Sequence, residues 1–96
     1  MRNYFLYILA DRPCGKISLG VTDDLERRIS EYKNKENQSS AEKSDADKLV
    51  YYEKYDKVYE ARVRAMQLKS WKRDWKVELI EKVNPAWNDL YYHLNA

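Results

Sequence analysis

The sequence predicts an α+β domain in which a small antiparallel sheet of three strands is flanked by helices. Two short segments, residues 4–9 and 16–21, are separated by turn residues and have the composition of a β-hairpin. A third segment, residues 48–55, is rich in β-branched and aromatic residues, as strands are. Two further stretches, residues 23–33 and 57–83, repeat apolar residues at helical spacing.

The length and charge of the chain limit its class. A chain of 96 residues supports one modest core, so we assign residues 1–96 to a single domain. The formal net charge is only +2, and a nucleic-acid partner would therefore need a local basic patch. With one cysteine, Cys14, no intramolecular disulfide can form. No apolar run has the length of a signal peptide or a membrane span, and we expect a cytoplasmic protein.

The hairpin is predicted from apolar pattern and turn chemistry. Residues 4–9 are an unbroken apolar run, typical of a strand buried on both faces. Residues 11–15 (DRPCG) form the turn, because proline fixes one φ and glycine can adopt a positive one. Residues 16–21 then alternate between two faces: Ile17, Leu19 and Val21 on one, and Lys16, Ser18 and Gly20 on the other.

The first helix is predicted over residues 23–33, with Thr22 or Asp23 as its N-cap. Its apolar stripe would pack on the sheet and consists of Leu25, Ile29 and Tyr32. Arg27 and Arg28 project about 100° apart on a helix, so only one of them shares the face toward the open end of the hairpin.

Residues 34–47 have no apolar side chain larger than alanine and no periodicity, which predicts a loop. A loop of this length in a small domain is either a recognition element or a surface insertion. Of the two, we favour the surface insertion.

The second helical stretch, residues 57–83, is apolar at every third or fourth position: Val58, Ala61, Ala65, Leu68, Trp71, Trp75 and Leu79. Asn84 and Pro85 end this stretch. We expect Pro85 to begin a short last helix that reaches His93, with Asn84 as its cap. No role is assigned to His93.

Bases outnumber acids in residues 57–83, and this surface has two interpretations. It is either a phosphate-binding face or a solvated helix face with charge pairs four residues apart. Composition alone favours the solvated helix face. The bases are Lys57, Arg62, Arg64, Lys69, Lys72, Arg73, Lys76 and Lys82. The tryptophans Trp71, Trp75 and Trp87 are either platforms for nucleobases or core and interface residues, and their spacing favours the second interpretation.

The chain resembles the GIY-YIG nuclease domain, in particular the small stand-alone bacterial proteins that consist of this domain. The resemblance is carried by LYI on the first strand, ISLG on the second and GVTDDLERRI after it. It resumes at residues 48–55, 60–71 and 79–91, and only the segment around 34–47 lacks it. The resemblance implies an α/β sandwich-like fold of order β-β-α-β-α-α-α, with a break between two helices near residues 70–72.

The resemblance also implies which residues occupy the positions of the nuclease site. Such a nuclease uses two tyrosines around the attacking water, a glycine, an arginine facing the phosphate and a glutamate that holds a divalent metal. Tyr7 stands at the first tyrosine position, Gly20 at the glycine and Arg28 at the arginine. Tyr32 stands where some family members place a histidine.

Two positions depart from the family pattern. Ser18 replaces the second tyrosine, and its hydroxyl lacks the reach of a phenol. Ala65 replaces the metal-binding glutamate, and a methyl group cannot bind magnesium. On the same helix face Ala65 has the cations Arg62 and Lys69 as neighbours and no acid, which favours a phosphate over a metal ion.

The leading hypothesis is a catalytically impaired GIY-YIG domain without a cofactor that still binds nucleic acid, DNA in the first instance. The residues expected to contact it are Arg28, Tyr32, Arg62 and Lys69. One alternative is an active endonuclease whose Mg²⁺ is held by an acid of a partner subunit or of the loop, such as Glu36, Glu42 or Asp45. Another is a protein-interaction module that forms a weak homodimer through exposed aromatics, such as Tyr51, Tyr52, Trp87, Tyr91 and Tyr92.

Overall fold

A computed structural model describes residues 3–34 and 46–94 of the protein. Its three strands form one antiparallel sheet. The elements in chain order are β1 (Tyr4–Ala10), β2 (Ile17–Thr22), α1 (Leu25–Lys33), β3 (Lys48–Tyr55), α2 (Val58–Ser70), α3 (Arg73–Val83) and a 3-10 helix (Leu90–His93). The predicted α+β fold and its order β-β-α-β-α-α-α are confirmed. None of the helices in the described ranges is long and apolar enough to cross a membrane.

The central strand, β1, pairs with β2 on one side and β3 on the other, and residues 6–10 of it are buried. Helix α1 covers one face of the sheet, where Tyr7 and Leu9 pack with Leu25 and Ile29. On the other face α2 and α3 cover the remaining half of β1. The core on that face contains Leu6, Ile8, Ala65, Leu68 and Ile80.

The break between α2 and α3 falls at Trp71 and Lys72, within the predicted interval. Both residues have extended backbones with ψ of 150°, and the N–H of Trp71 donates to the carbonyl of Leu68. The break changes the helical phase. Trp75, which the sequence pattern placed on the apolar stripe as a core or interface residue, is 52% exposed.

The N-cap of α1 is Asp24, and the prediction of Thr22 or Asp23 was wrong by one or two residues. The carboxylate of Asp24 accepts a hydrogen bond from the backbone N–H of Arg27 at 3.2 Å. Thr22 acts one step earlier, since its hydroxyl accepts from the N–H of Asp24 at 3.1 Å. The two side chains together set where the helix begins.

The predicted helix beginning at Pro85 is wrong, because the chain stays irregular until Leu90. Trp87 adopts a left-handed backbone with a φ of 56°, which cannot continue a helix, and its indole is buried and donates to Glu81 at 2.7 Å. Asp89 caps the 3-10 helix by accepting from the N–H of Tyr91.

Asn84 ends α3 instead of beginning a helix, and its side chain is buried. Its amide donates to the carbonyls of Val50 at 2.9 Å and Asn88 at 3.0 Å. Its carbonyl oxygen accepts from the backbone N–H of Asn88 at 3.0 Å. One side chain thus connects β3, the end of α3 and the C-terminal segment.

We predict that Asn84→Ala lowers the free energy of unfolding by roughly 2 kcal/mol, because buried backbone partners lose their hydrogen bonds. Urea unfolding measures this loss. Asn88→Ala is the matched control, since Asn88 is exposed and offers only its backbone to Asn84. Equal stability of the two variants would contradict this role of Asn84.

Candidate functional site

The site begins where the Tyr7 ring crosses the backbone of β2. The register of the hairpin places Gly20 directly opposite Tyr7. A Cβ atom at Gly20 would lie 2.3 Å from the Tyr7 hydroxyl oxygen and 2.4 Å from Cζ, well inside van der Waals contact. The requirement for glycine is therefore one of space, and its φ is not positive.

The Tyr7 hydroxyl reaches Arg28 on α1. The Nε of Arg28 donates to this oxygen at 3.3 Å, and a terminal nitrogen lies 3.5 Å from the hydroxyl of Tyr32. The guanidinium also lies over the Tyr32 ring, 5.0 Å from its centroid. The family resemblance singled out Tyr7, Arg28 and Tyr32 in the sequence. The structure places these three residues next to one another.

The two adjacent arginines of α1 have different surroundings. The side chain of Arg28 is held by Tyr7 but remains 44% exposed, and it pairs with Glu31 at 3.3 Å. Arg27 is 77% exposed and contacts the same carboxylate at 3.5 Å. As predicted, only Arg28 shares the face of the hairpin. Sequence analysis overlooked Glu31, although spacings of three and four residues from the arginines indicate such pairs.

The protonation states follow from burial and from this hydrogen bond. Burial raises the pKa of Tyr7 to about 12, although the N–H of Arg28 acts in the opposite direction. The hydrogen bond to Tyr7 in turn raises the pKa of Arg28 above its ordinary value. At neutral pH the site therefore presents a protonated phenol beside a permanent cation.

Arg28 lines a groove of about 400 Å³ together with Arg62 from the first half of α2. The remaining walls come from Tyr4, Val21, Thr22, Asp23 and Val58. The two arginines share this lining with one acid, Asp23, while Glu31 pairs with Arg28 from outside it. Lys69, which was expected to share this surface, is exposed on α2 but does not line the groove.

The two departures from the nuclease pattern lie on opposite faces of the sheet. Ser18 pairs with Leu9, on the same face as Tyr7 and Gly20 and two residue pairs further along the hairpin. Ala65 is 5% exposed and packs with Leu6 of β1 in the opposite core.

The described residues offer no ready metal site. Among residues 3–34 and 46–94, no three His, Cys, Asp or Glu side chains converge to hold an ion. The acids proposed as substitute ligands, Glu36, Glu42 and Asp45, lie outside the described residues.

Two of the bases assigned to the candidate phosphate face have structural partners. Arg64 donates to Glu53 at 3.1 Å, and the hydroxyls of Tyr51 and Tyr55 donate to the same carboxylate. Burial acts to raise the pKa of Glu53, but these hydrogen bonds hold it below its ordinary value. The spacing of the three β3 residues, every second position, was an available signal for this cluster.

Arg73 is the other base with a structural partner. It donates to the carbonyls of Cys14 at 2.7 Å and Gly15 at 2.6 Å, and so ties the hairpin turn to α3.

The set of exposed aromatics expected for a protein interface also needs correction. Tyr51 is 9% and Trp87 4% exposed, because both side chains pack in the core beneath α3.

Comparison with known proteins gives the class of this domain. The sequence matches the GIY-YIG catalytic domain over residues 3–84. The chain belongs to the GIY-YIG family, as its motifs predicted.

A solved structure shares the fold. The UPF0213 protein BH0048 from Bacillus halodurans, determined by NMR in solution, is 22% identical to this chain. The TM-score is 0.56, with 91% of this chain and 92% of that chain covered. At this identity the likeness shows the fold alone. No curated protein matches the sequence significantly.

We predict that Gly20→Ala lowers the free energy of unfolding by about 1–3 kcal/mol, because the new methyl group displaces the Tyr7 ring. Chemical denaturation followed by tyrosine and tryptophan fluorescence measures the change. Ser18→Ala is the control on the same strand and face. If both variants unfold alike, the close approach of Tyr7 does not constrain position 20.

We further predict that Tyr7 makes stability depend on pH at the alkaline end. Its pKa is about 12 in the folded protein against 10.0 for a free tyrosine. The folded state holds the proton more tightly, so this contribution to stability is complete below pH 10 and is lost as pH rises toward 12. Between pH 10 and 12, the free energy of unfolding measured with denaturant should fall less steeply for Tyr7→Phe than for the unaltered protein. Parallel curves for the two proteins would contradict the assignment.

Proposed function

We propose that this GIY-YIG domain binds nucleic acid, DNA in the first instance, through the groove that contains Arg28 and Arg62, and that its capacity for phosphodiester hydrolysis is impaired. The observation that carries the proposal is the arrangement of Arg28. Tyr7 fixes one edge of its guanidinium, while nearly half of the side chain stays open to solvent in the groove.

The groove has the chemistry that a phosphate backbone requires. Guanidinium groups bind phosphate oxygens through paired N–H donors, and Arg28 keeps its charge at any physiological pH. Arg62 enters the groove from a different element, α2, so two cations flank one cleft. Two cations on separate elements would contact phosphates at different points of a strand, which supports a polymer over a free ion.

Glu31 is the internal competitor of a bound phosphate. Its carboxylate already neutralises part of the charge of Arg28 and is also shared with Arg27. A phosphate that approaches Arg28 must displace or weaken this ion pair, which is partly exposed and therefore weak. The domain is accordingly expected to bind nucleic acid with modest affinity and strong dependence on salt.

The impairment rests on two residues with independent roles. Ser18 cannot extend a hydroxyl as far as a phenol would, so one contact to the attacking water is missing. Ala65 offers no oxygen to a metal ion, so charge on the leaving group has no metal to stabilise it. Each such contribution is typically worth orders of magnitude in rate. Phosphate binding needs neither of them.

We predict that Arg28→Ala weakens the binding of labelled DNA about tenfold, the effect of one charge-assisted contact. It should also reduce the slope of the logarithm of the binding constant against the logarithm of salt concentration by about one. Arg62→Ala should act in the same direction. Fluorescence anisotropy titrations at several salt concentrations measure both quantities.

Arg27→Ala is the matched control, since it removes the same charge at the adjacent residue, whose side chain is 77% exposed and does not line this groove. Its effect should be clearly smaller than that of Arg28→Ala. Equal losses for the two variants would show that only total charge matters, and the groove would then not be the binding site.

A further inference from the structure

A second groove lies at the break between α2 and α3 and is separate in its lining from the arginine groove. It has a volume of about 360 Å³ and is lined by Trp71, Trp75, Glu78, Leu79 and Lys82. Trp75 is 52% exposed there, whereas Trp87 is 4% exposed in the core. Trp71 and Trp75 lie side by side in this groove, and a contiguous apolar patch of this kind points to an interaction surface.

We propose that this tryptophan groove stacks one unpaired nucleobase of a bound single strand. This inference rests on the proposed function, because it adds a base-binding subsite to a domain that binds phosphates elsewhere. Aromatic side chains bind single strands by stacking on the faces of successive bases, and the volume lies in the range of ligand pockets.

The two indoles are held in place before a ligand arrives. The helix break sets Trp71 and Trp75 edge to face, with ring centroids 6.1 Å apart and an interplanar angle of 80°. Arg64 lies over the Trp71 ring at 5.2 Å and is itself fixed by Glu53. Arg64 covers one face of the Trp71 ring, so the exposed Trp75 ring is the surface on which a base would stack, and its neighbour Trp71 is already held in place.

The charges around the groove match a nucleotide. Lys72 lies 6.0 Å from the centre of the Trp75 ring, and Lys82 forms part of the lining. These two ammonium groups beside the indoles supply counter-charges for the phosphates of a strand whose base stacks there. Glu78 adds one carboxylate that can accept a hydrogen bond from an exocyclic amino group, such as that of cytosine.

A second copy of the chain fits this groove less well. A two-fold dimer brings the same patch of both copies together, and each patch carries two lysines, Lys72 and Lys82, against one acid, Glu78. Like charges in one interface oppose association. The cationic rim therefore favours an anionic polymer.

The test is a titration of the intact protein with short oligocytidylate and oligothymidylate and with a duplex, followed by tryptophan fluorescence and anisotropy. Single strands should quench tryptophan emission. Trp75→Ala should weaken single-strand binding about tenfold and leave duplex binding nearly unchanged. Tyr92→Ala is the matched control, because it removes another aromatic side chain that is 71% exposed.

Glu78→Ala tests the contact to the base edge. It should abolish a preference for oligocytidylate over oligothymidylate while leaving the quenching by both in place. Because Glu78 is exposed on α3, its removal leaves the core intact.

The outcomes separate the two proposals. If Arg28→Ala weakens binding and Trp75→Ala does not, the base-stacking site is refuted and the phosphate groove stands. If the unaltered protein binds neither single strands nor duplex, both proposals fail. If sedimentation shows a dimer that Trp75→Ala dissociates, the groove is a contact between copies and the inference is overturned.

Discussion

The arrangement of the site depends on the close approach of the Tyr7 ring to the backbone at Gly20. Because position 20 carries no side chain, the phenol can cross β2 and offer its oxygen to Arg28 on α1. That hydrogen bond orients the guanidinium in a groove shared with Arg62. The chain belongs to the GIY-YIG family, and the resemblance of its motifs predicts a tyrosine at Ser18 and a glutamate at Ala65.

Much of the fold was predictable because local chemistry and tertiary packing agree. The alternation of Ile17, Leu19 and Val21 and the aromatic run of β3 indicate strands, and both strands form. The predictions of local structure fail where a contact with a residue distant in the sequence determines the conformation. Trp87 adopts a left-handed backbone while its indole is buried and bonded to Glu81, which no local rule for Pro85 reveals. The pattern also placed Trp75 on the apolar stripe that was continued across the predicted break, and this side chain is 52% exposed.

The site was predictable to the extent that motifs carry it. Family spacing singled out Tyr7, Gly20 and Arg28, and the structure brings them into contact. The excess of basic residues in residues 57–83 was a weaker guide to the site, because a count of charges does not distinguish one base from another. Arg64 and Arg73 hold Glu53 and the hairpin turn, whereas Arg62 lines the groove. Only three-dimensional partners distinguish a structural cation from one that faces a ligand.

The most direct test of a domain that binds without cutting measures both properties in the same samples. Labelled single-stranded, duplex and branched DNA would be incubated with the protein in magnesium, in manganese and in EDTA, then resolved on native and denaturing gels. We expect retarded, uncut DNA in all three conditions, and less retardation with Arg28→Ala. Cleavage that requires the metal and disappears with Arg28→Ala would contradict the account and require a metal ligand outside the described site.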